Sequence, residues 1–171
     1  VDNHDVDRIA SKLNVPEHIF TVYTLLFTLP GIPSIYYGSE WGIQGRKEGG
    51  NDDPLRPAVD IEEALLHPDN PRLLKWVTLL GRIHSQELAL ADGRYQELLL
   101  TNRQYAFARI LGEEGIVVAV NNDDRPAELC IREPLSGKSW ASLIDGREPE
   151  LQDGSLRVTL APGESQIYKL K

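Results

Sequence analysis

The 171-residue chain carries 41% hydrophobic and 26% charged side chains, an ordinary balance for a folded protein. Its 26 acidic against 18 basic residues give a net charge of -8, which speaks against a phosphate-binding surface and excludes nucleic acid as an expected partner. The single cysteine rules out an internal disulfide and a cysteine-built metal site, and no apolar run approaches the roughly 20 residues that cross a bilayer, so no membrane partner is expected.

The chain opens with "VDNHDVDR", a polar cluster of Asn3, His4, Asp5 and Arg8 that needs a rigid neighbourhood if such small groups are to be aimed. Pro16 suits the first turn of a helix. In "EHIFTVYTLLFTL", Ile19, Val22, Tyr23 and Leu26 share one face, and Phe20, Phe27 and Leu29 make the rest nearly as apolar, which predicts a helix buried on more than one side. Pro30 and Gly31 end it, and "IPSIYY" then reads as a buried parallel strand. From Gly38 to Asn70 a glycine-rich, charged stretch reads as a long loop, a kind that is usually functional or disordered. Pro71 opens a second helix, with Leu73, Val77, Leu80 and Ile83 at helical spacing beside Trp76.

Near "LADGRYQE" the pattern changes from helical periodicity to short alternating runs, which predicts two domains, 1–91 and 92–171. Seven strands are expected in the second: "YQELLL", "QYAFARIL", "IVVAVN", "AELCI", "SWASL", "LRVTL" and "QIYKL". Turn signals such as "GEEG", "NNDDRP", "EPLSG", "IDG" and "APGE" separate them, and the sum is an antiparallel β-sandwich. Cys130, in "AELCIRE", is expected to be a buried small side chain. His18, His67 and His84 have no companions at ligand spacing and read as surface or packing residues, so no metal site is expected.

Alone, "NHD" reads more readily as a turn than as a site. With "GIPSIYYGSEWG" (31–42) and "GGNDDPLRP" (49–57), however, the chain resembles the α-amylase family of glycoside hydrolases, nearest to its neopullulanase and cyclomaltodextrinase branch. In that resemblance 1–8 ends the seventh strand of a (β/α)8 barrel and 31–42 forms the eighth strand and its loop. The implied fold is α/β plus all-β: a partial barrel of the last strand-helix units followed by the sandwich. Active groups of such barrels collect at the C-terminal ends of the strands, so "NHD" and "GSE" would open onto one cleft.

The resemblance also supplies roles. Asp5 matches the family's third catalytic carboxylate, which stabilises the transition state at the sugar being cleaved, and His4 resembles an imidazole that donates to the same ring. Asn3 orients the turn, and Arg8 is a nearby cation that keeps carboxylates ionised. Asp53 and Arg56 resemble residues that grip a sugar further along the cleft, although "NDDPLRP" leaves open whether Asp52 or Asp53 takes that part, and an ion pair in a surface loop accounts for them equally well. Glu40 reads as a structural carboxylate, Trp41 as packing beneath the loop or as a stacking ring, and Tyr36 and Tyr37 as barrel packing.

The expected parent is therefore a retaining glycosidase or transglycosidase on α-linked glucans, with an α-glucan or maltooligosaccharide as partner. Its nucleophile and general acid are expected upstream of Val1, which would leave this chain inactive alone. Other expected partners are the remaining N-terminal part of the barrel or a second copy of the chain, either of which would cover apolar helix faces and unpaired strand edges. No cofactor is expected here, calcium belonging in the family to parts outside these residues, and a cytoplasmic setting is the expectation for compartment. A different class is a carbohydrate-binding or accessory module without hydrolysis, for which Tyr95, Tyr105, Trp140 and Tyr168 are the candidate stacking rings. A third is a structural protein on a degenerate barrel, against which the intact "NHD" speaks.

Overall fold

The computed structural model of the protein describes residues 1–66, 70–135 and 139–171. His67 and the turn expected at Ser136 and Gly137 lie outside the described residues. The helices are α1 (Ile9–Lys12), α2 (His18–Thr28), α3 (Ile61–Leu66), α4 (Asn70–Gln86) and α5 (Leu88–Asp92), with 3-10 turns at Ser39–Trp41 and Asp53–Leu55. The strands are β1 (Arg94–Leu100), β2 (Gln104–Leu111), β3 (Glu114–Asn121), β4 (Ala127–Arg132), β5 (Trp140–Ser142), β6 (Glu150–Gln152), β7 (Ser155–Leu160) and β8 (Ser165–Leu170).

All pairings between these strands are antiparallel, in a five-stranded sheet of order β1-β2-β3-β8-β5 and a three-stranded sheet of order β4-β7-β6. The five-stranded sheet is the middle of three layers. On one face Phe107, Ile116, Val118, Val120 and Ile167 meet Ile19, Tyr23, Phe27, Leu80 and Ile83 of the helices. On the other, Ala106, Ala108, Val117 and Ala119 meet Leu129, Ile131, Leu156 and Val158 of the smaller sheet. Covered on both faces, β2 and β3 are buried almost without alternation, whereas β4 has one wet face and alternates. That alternation corrects the expectation for Cys130: Leu129 and Ile131 point inward, so Cys130 between them is exposed.

The helix expected after Pro16 is α2, and it buries Thr21, Thr24 and Thr28 as well as Ile19, Tyr23 and Phe27. The threonines tolerate burial because their hydroxyls are satisfied: Thr24 and Thr28 donate to the carbonyls of Phe20 and Thr24 (2.9 and 2.6 Å), and Thr21 donates to that of Gly163 (3.0 Å). In α4, Leu73, Leu80 and Ile83 are buried. Trp76 Nε1 donates to the Phe20 carbonyl at 3.1 Å, and His84 Nδ1 lies 2.8 Å from that of Phe27, so the two helices are pinned along their length.

Two local expectations change. The run 32–37, read as a buried parallel strand, pairs with no strand among the described residues, and Ile32 is 95% exposed. An extended segment without a neighbour forms no ladder, so its backbone stays irregular. The sandwich also holds an eighth strand, β6, whose hairpin with β7 turns through Asp153 and Gly154, both at positive φ.

Arg109 joins the layers. It is 2% exposed and sits on the helix-facing side of β2. Its Nε and Nη2 donate to the Gly93 carbonyl (3.1 and 3.0 Å), and its Nη1 donates to that of Thr28 at 3.1 Å. Arg109→Met would leave these buried carbonyls unpaired and is expected to lower stability by about 2–4 kcal/mol in urea unfolding. Arg132→Met on exposed strand surface should change it by less than about 0.5 kcal/mol.

Candidate functional site

Val1–Arg8 runs alongside the loop that begins at Gly38 and the turn around Asp53. Asp2 is the first tie: its carboxylate accepts from the Ser39 hydroxyl (3.0 and 2.9 Å) and from the backbone N–H of Ile9 (2.9 Å). From beneath, the Tyr23 hydroxyl of α2 donates to the Ser39 carbonyl at 3.0 Å. Burial, with the charge of Asp2 next in importance, pushes this phenol well above its ordinary range, so it stays protonated as the donor.

Arg8 is the centre of the arrangement, but not as the carboxylate partner expected from sequence. Its side chain is fully buried. Nε donates to the Leu55 carbonyl (3.0 Å), and Nη1 donates to the Tyr37 carbonyl (2.7 Å) and the Ser39 hydroxyl (3.1 Å). The guanidinium lies 4.2 Å from the Tyr36 ring centroid and 5.1 Å from that of Tyr37, so these tyrosines flank a cation rather than packing only against apolar groups. It reaches the carboxylate of Asp2 only through Ser39.

The cation that touches Asp5 is Arg56, 51 residues away in sequence: its Nη2 lies 3.3 Å from Asp5 Oδ1, and its Nε donates to the His4 carbonyl at 3.1 Å. His4 Nε2 lies 3.2 Å from Asp5 Oδ2, and its ring centroid is 6.3 Å from that of Tyr36. The Asn3 side-chain oxygen accepts from the Asp5 backbone N–H at 2.8 Å, which fixes the turn that presents both residues. His4 and Asp5 are more than half exposed, so the pair faces open space.

Arg56 also contacts Asp52 Oδ2 (3.3 Å), and Lys47 Nζ lies 2.8 Å from Asp52 Oδ1. Asp52 is therefore the residue paired with Arg56, while Asp53 is exposed and its carboxylate pairs with none of the described residues. Sequence order alone left these two aspartates unresolved, and Lys47 went unnoticed because nothing in its spacing marks it. A hairpin turn, closed by Glu48 and Asn51 over two glycines at positive φ, brings it back onto Asp52. Glu40 and Trp41 lie in the 3-10 turn at Ser39–Trp41 and are partly buried. Among the described residues no three His, Cys, Asp or Glu side chains cluster so as to hold a metal ion.

This geometry coincides with regions shared with known proteins. Residues 1–78 match the model for the α-amylase catalytic domain, and residues 95–167 match that for the maltogenic amylase C-terminal domain. Neopullulanase 2 of Thermoactinomyces vulgaris is 28% identical over 171 residues, covering 98% of this chain but only 28% of its own length. The crystal structure of an Anoxybacillus α-amylase superposes with a TM-score of 0.80 at 27% identity, over 99% of this chain and 36% of its own. That of the α-amylase from Geobacillus thermoleovorans, complexed with acarbose, gives 0.84 at 23% identity, over 100% and 38%. The layered sandwich and the loop cluster beside it thus have the architecture of the corresponding part of solved α-amylases. Over both matched regions the chain is similar to proteins of the α-amylase family, and it spans less than a third of the length of the neopullulanase.

Lys47, pressed against Asp52, is the main cause holding the Asp52 carboxyl below its usual range, with Arg56 adding to it; in turn Asp52 raises Lys47. Because Asp52 is harder to protonate folded than unfolded, its stabilisation is complete above about pH 4 and is lost as pH falls through the lowered folded value. Lys47→Met should raise the Asp52 titration toward the ordinary aspartate range, measured by carbon-13 carboxyl titration. A Cβ at Gly45 would sit 2.4 Å from the Pro54 carbonyl oxygen and 3.2 Å from Arg8 Cγ. Gly45→Ala should therefore cost about 1–3 kcal/mol in chemical denaturation and shift the resonances of Leu55 and Arg56.

Proposed function

We propose that these residues are the C-terminal part of a retaining glycosidase or transglycosidase acting on α-linked glucans, with Asp5 and His4 at the sugar being cleaved and Arg56 with Asp52 further along the cleft. The observation that carries this reading is the meeting of His4, Asp5, Arg56 and Asp52 from two distant segments on an exposed rim of a chain similar to the α-amylase family. Each carboxylate oxygen of Asp5 has one protein partner and can accept a second hydrogen bond, so sugar hydroxyls can be bound without dismantling the cluster. Such bonds accelerate cleavage to the extent that they strengthen as the ring distorts toward an oxocarbenium-like state.

Retention needs a nucleophile and an acid about 5–5.5 Å apart across the scissile bond. We assign that pair to barrel segments beyond these 171 residues, a reading supported by the small share of each relative that the chain covers. Residues 1–91 then belong to the catalytic barrel and 92–171 to the C-terminal domain, a division supported by the family matches at 1–78 and 95–167. The exposed Ile32 and the unpaired run after it are surface that neighbouring barrel strands, or a second copy of the chain, would cover.

Incubated with maltooligosaccharides or cyclodextrins, the purified 171-residue chain should release no reducing sugar. The longer protein containing it should do so, and Asp5→Asn in that protein should lower kcat about 10²–10³-fold. Turnover that co-purifies with the short chain would sink the assignment.

A further inference from the structure

Of the four aromatic residues that a stacking sheet face could use, Trp140 and Tyr168 are buried at 1% and 3% exposure. Tyr95 and Tyr105 are not. They lie on neighbouring strands β1 and β2, and their hydroxyls are hydrogen-bonded to each other. Both rings rest on Phe107, with centroids 5.6 and 5.3 Å from it and planes inclined by 36° and 38°. Phe107 is fully buried, so it acts as a fixed floor that holds the two outer rings in place.

The strand register adds neighbours of two kinds. Glu97 is paired with Phe107 and so falls on the same face between the tyrosines, and it is exposed. Leu100 is paired with Tyr105 and is 64% exposed. β1 is an edge strand, so nothing of the sheet lies beyond them. The result is a patch of one exposed and one half-buried ring, tethered to each other, and one exposed apolar side chain, with Glu97 on the same face.

We propose that Tyr95 and Tyr105, with Glu97 beside them, form a second α-glucan-binding surface on the β-sandwich, separate from the His4–Asp5 cluster. The inference rests on the glucan reading given above for its choice of ligand. A pyranose offers an apolar C–H face and a rim of hydroxyls, and this patch offers the complement: ring faces to stack on, and acceptors at their edge. Burial and the hydrogen bond with Tyr95 raise the Tyr105 phenol, so this phenol stays neutral beside Glu97. Because the rings are held by Phe107 and by each other before any ligand arrives, little ordering is required on binding.

The test is heteronuclear NMR on the 171-residue chain titrated with maltoheptaose and with β-cyclodextrin, using cellopentaose as the β-linked control. Amide shifts at 95–97, 100 and 105 are expected with both α-glucans and not with cellopentaose. Tyr95→Ala should weaken binding at this patch at least tenfold, and Glu97→Gln several-fold, while shifts around His4, Asp5 and Arg56 persist. Glu97→Gln alone decides the matter if Tyr95→Ala perturbs the fold. Shifts confined to the His4–Asp5 region overturn the inference and leave the glycosidase reading intact. An absence of shifts, equal response to cellopentaose, or concentration-dependent shifts of the patch without sugar also overturn it, the glycosidase reading being judged separately by turnover.

Discussion

The buried guanidinium of Arg8 is the interaction on which the loop cluster depends. A cation removed from water is costly unless its donors find acceptors, and here Nε and Nη1 find the carbonyls of Leu55 and Tyr37 and the hydroxyl of Ser39, while Nη2 has no hydrogen-bond partner among the described residues. Those acceptors belong to stretches far apart in sequence, so satisfying one side chain draws both onto the first residues of the chain. The backbone of Arg8 adds another tie, its N–H donating to the Gly45 carbonyl at 3.0 Å. With the frame fixed, His4 and Asp5 stay exposed on a short turn, with Arg8 and Ser39 buried beneath. Small polar groups are held in a working arrangement in this way, by a rigid layer one residue away.

The second constraint is the layering. Helices α2 and α4 rest on the five-stranded sheet, which in turn rests on the smaller one, and Arg109 stitches the end of α2 to the start of β1. Through Tyr23, the same helix that packs on the sheet also holds Ser39, so the sandwich and the loop cluster share a continuous path of packed and hydrogen-bonded groups. Loops positioned by such a scaffold are where binding and catalytic groups are commonly found.

Much of this was legible in the sequence, for identifiable reasons. Period and punctuation revealed α2, α4 and most strands of the sandwich, because apolar spacing there reflects what each element buries. The run 32–37 has a strand's composition but no partner, and pairing is not a local property. β6 escaped because its three residues are all exposed and carry no alternation. At the site, the motif resemblance pointed to His4, Asp5 and Arg56, which the fold brings together. It could not show that Arg8 would be buried among carbonyls, nor that Lys47 would return to Asp52, since both follow from long-range folding rather than spacing.

Cys130 has a consequence of its own. The only sulfur in the chain sits on the outward face of the three-stranded sheet, opposite Arg157. Any covalent dimer formed in air must therefore join two molecules back to back through those sheets. The same geometry offers a single attachment point for a dye or a solid support on a different part of the molecule from the His4–Asp5 rim.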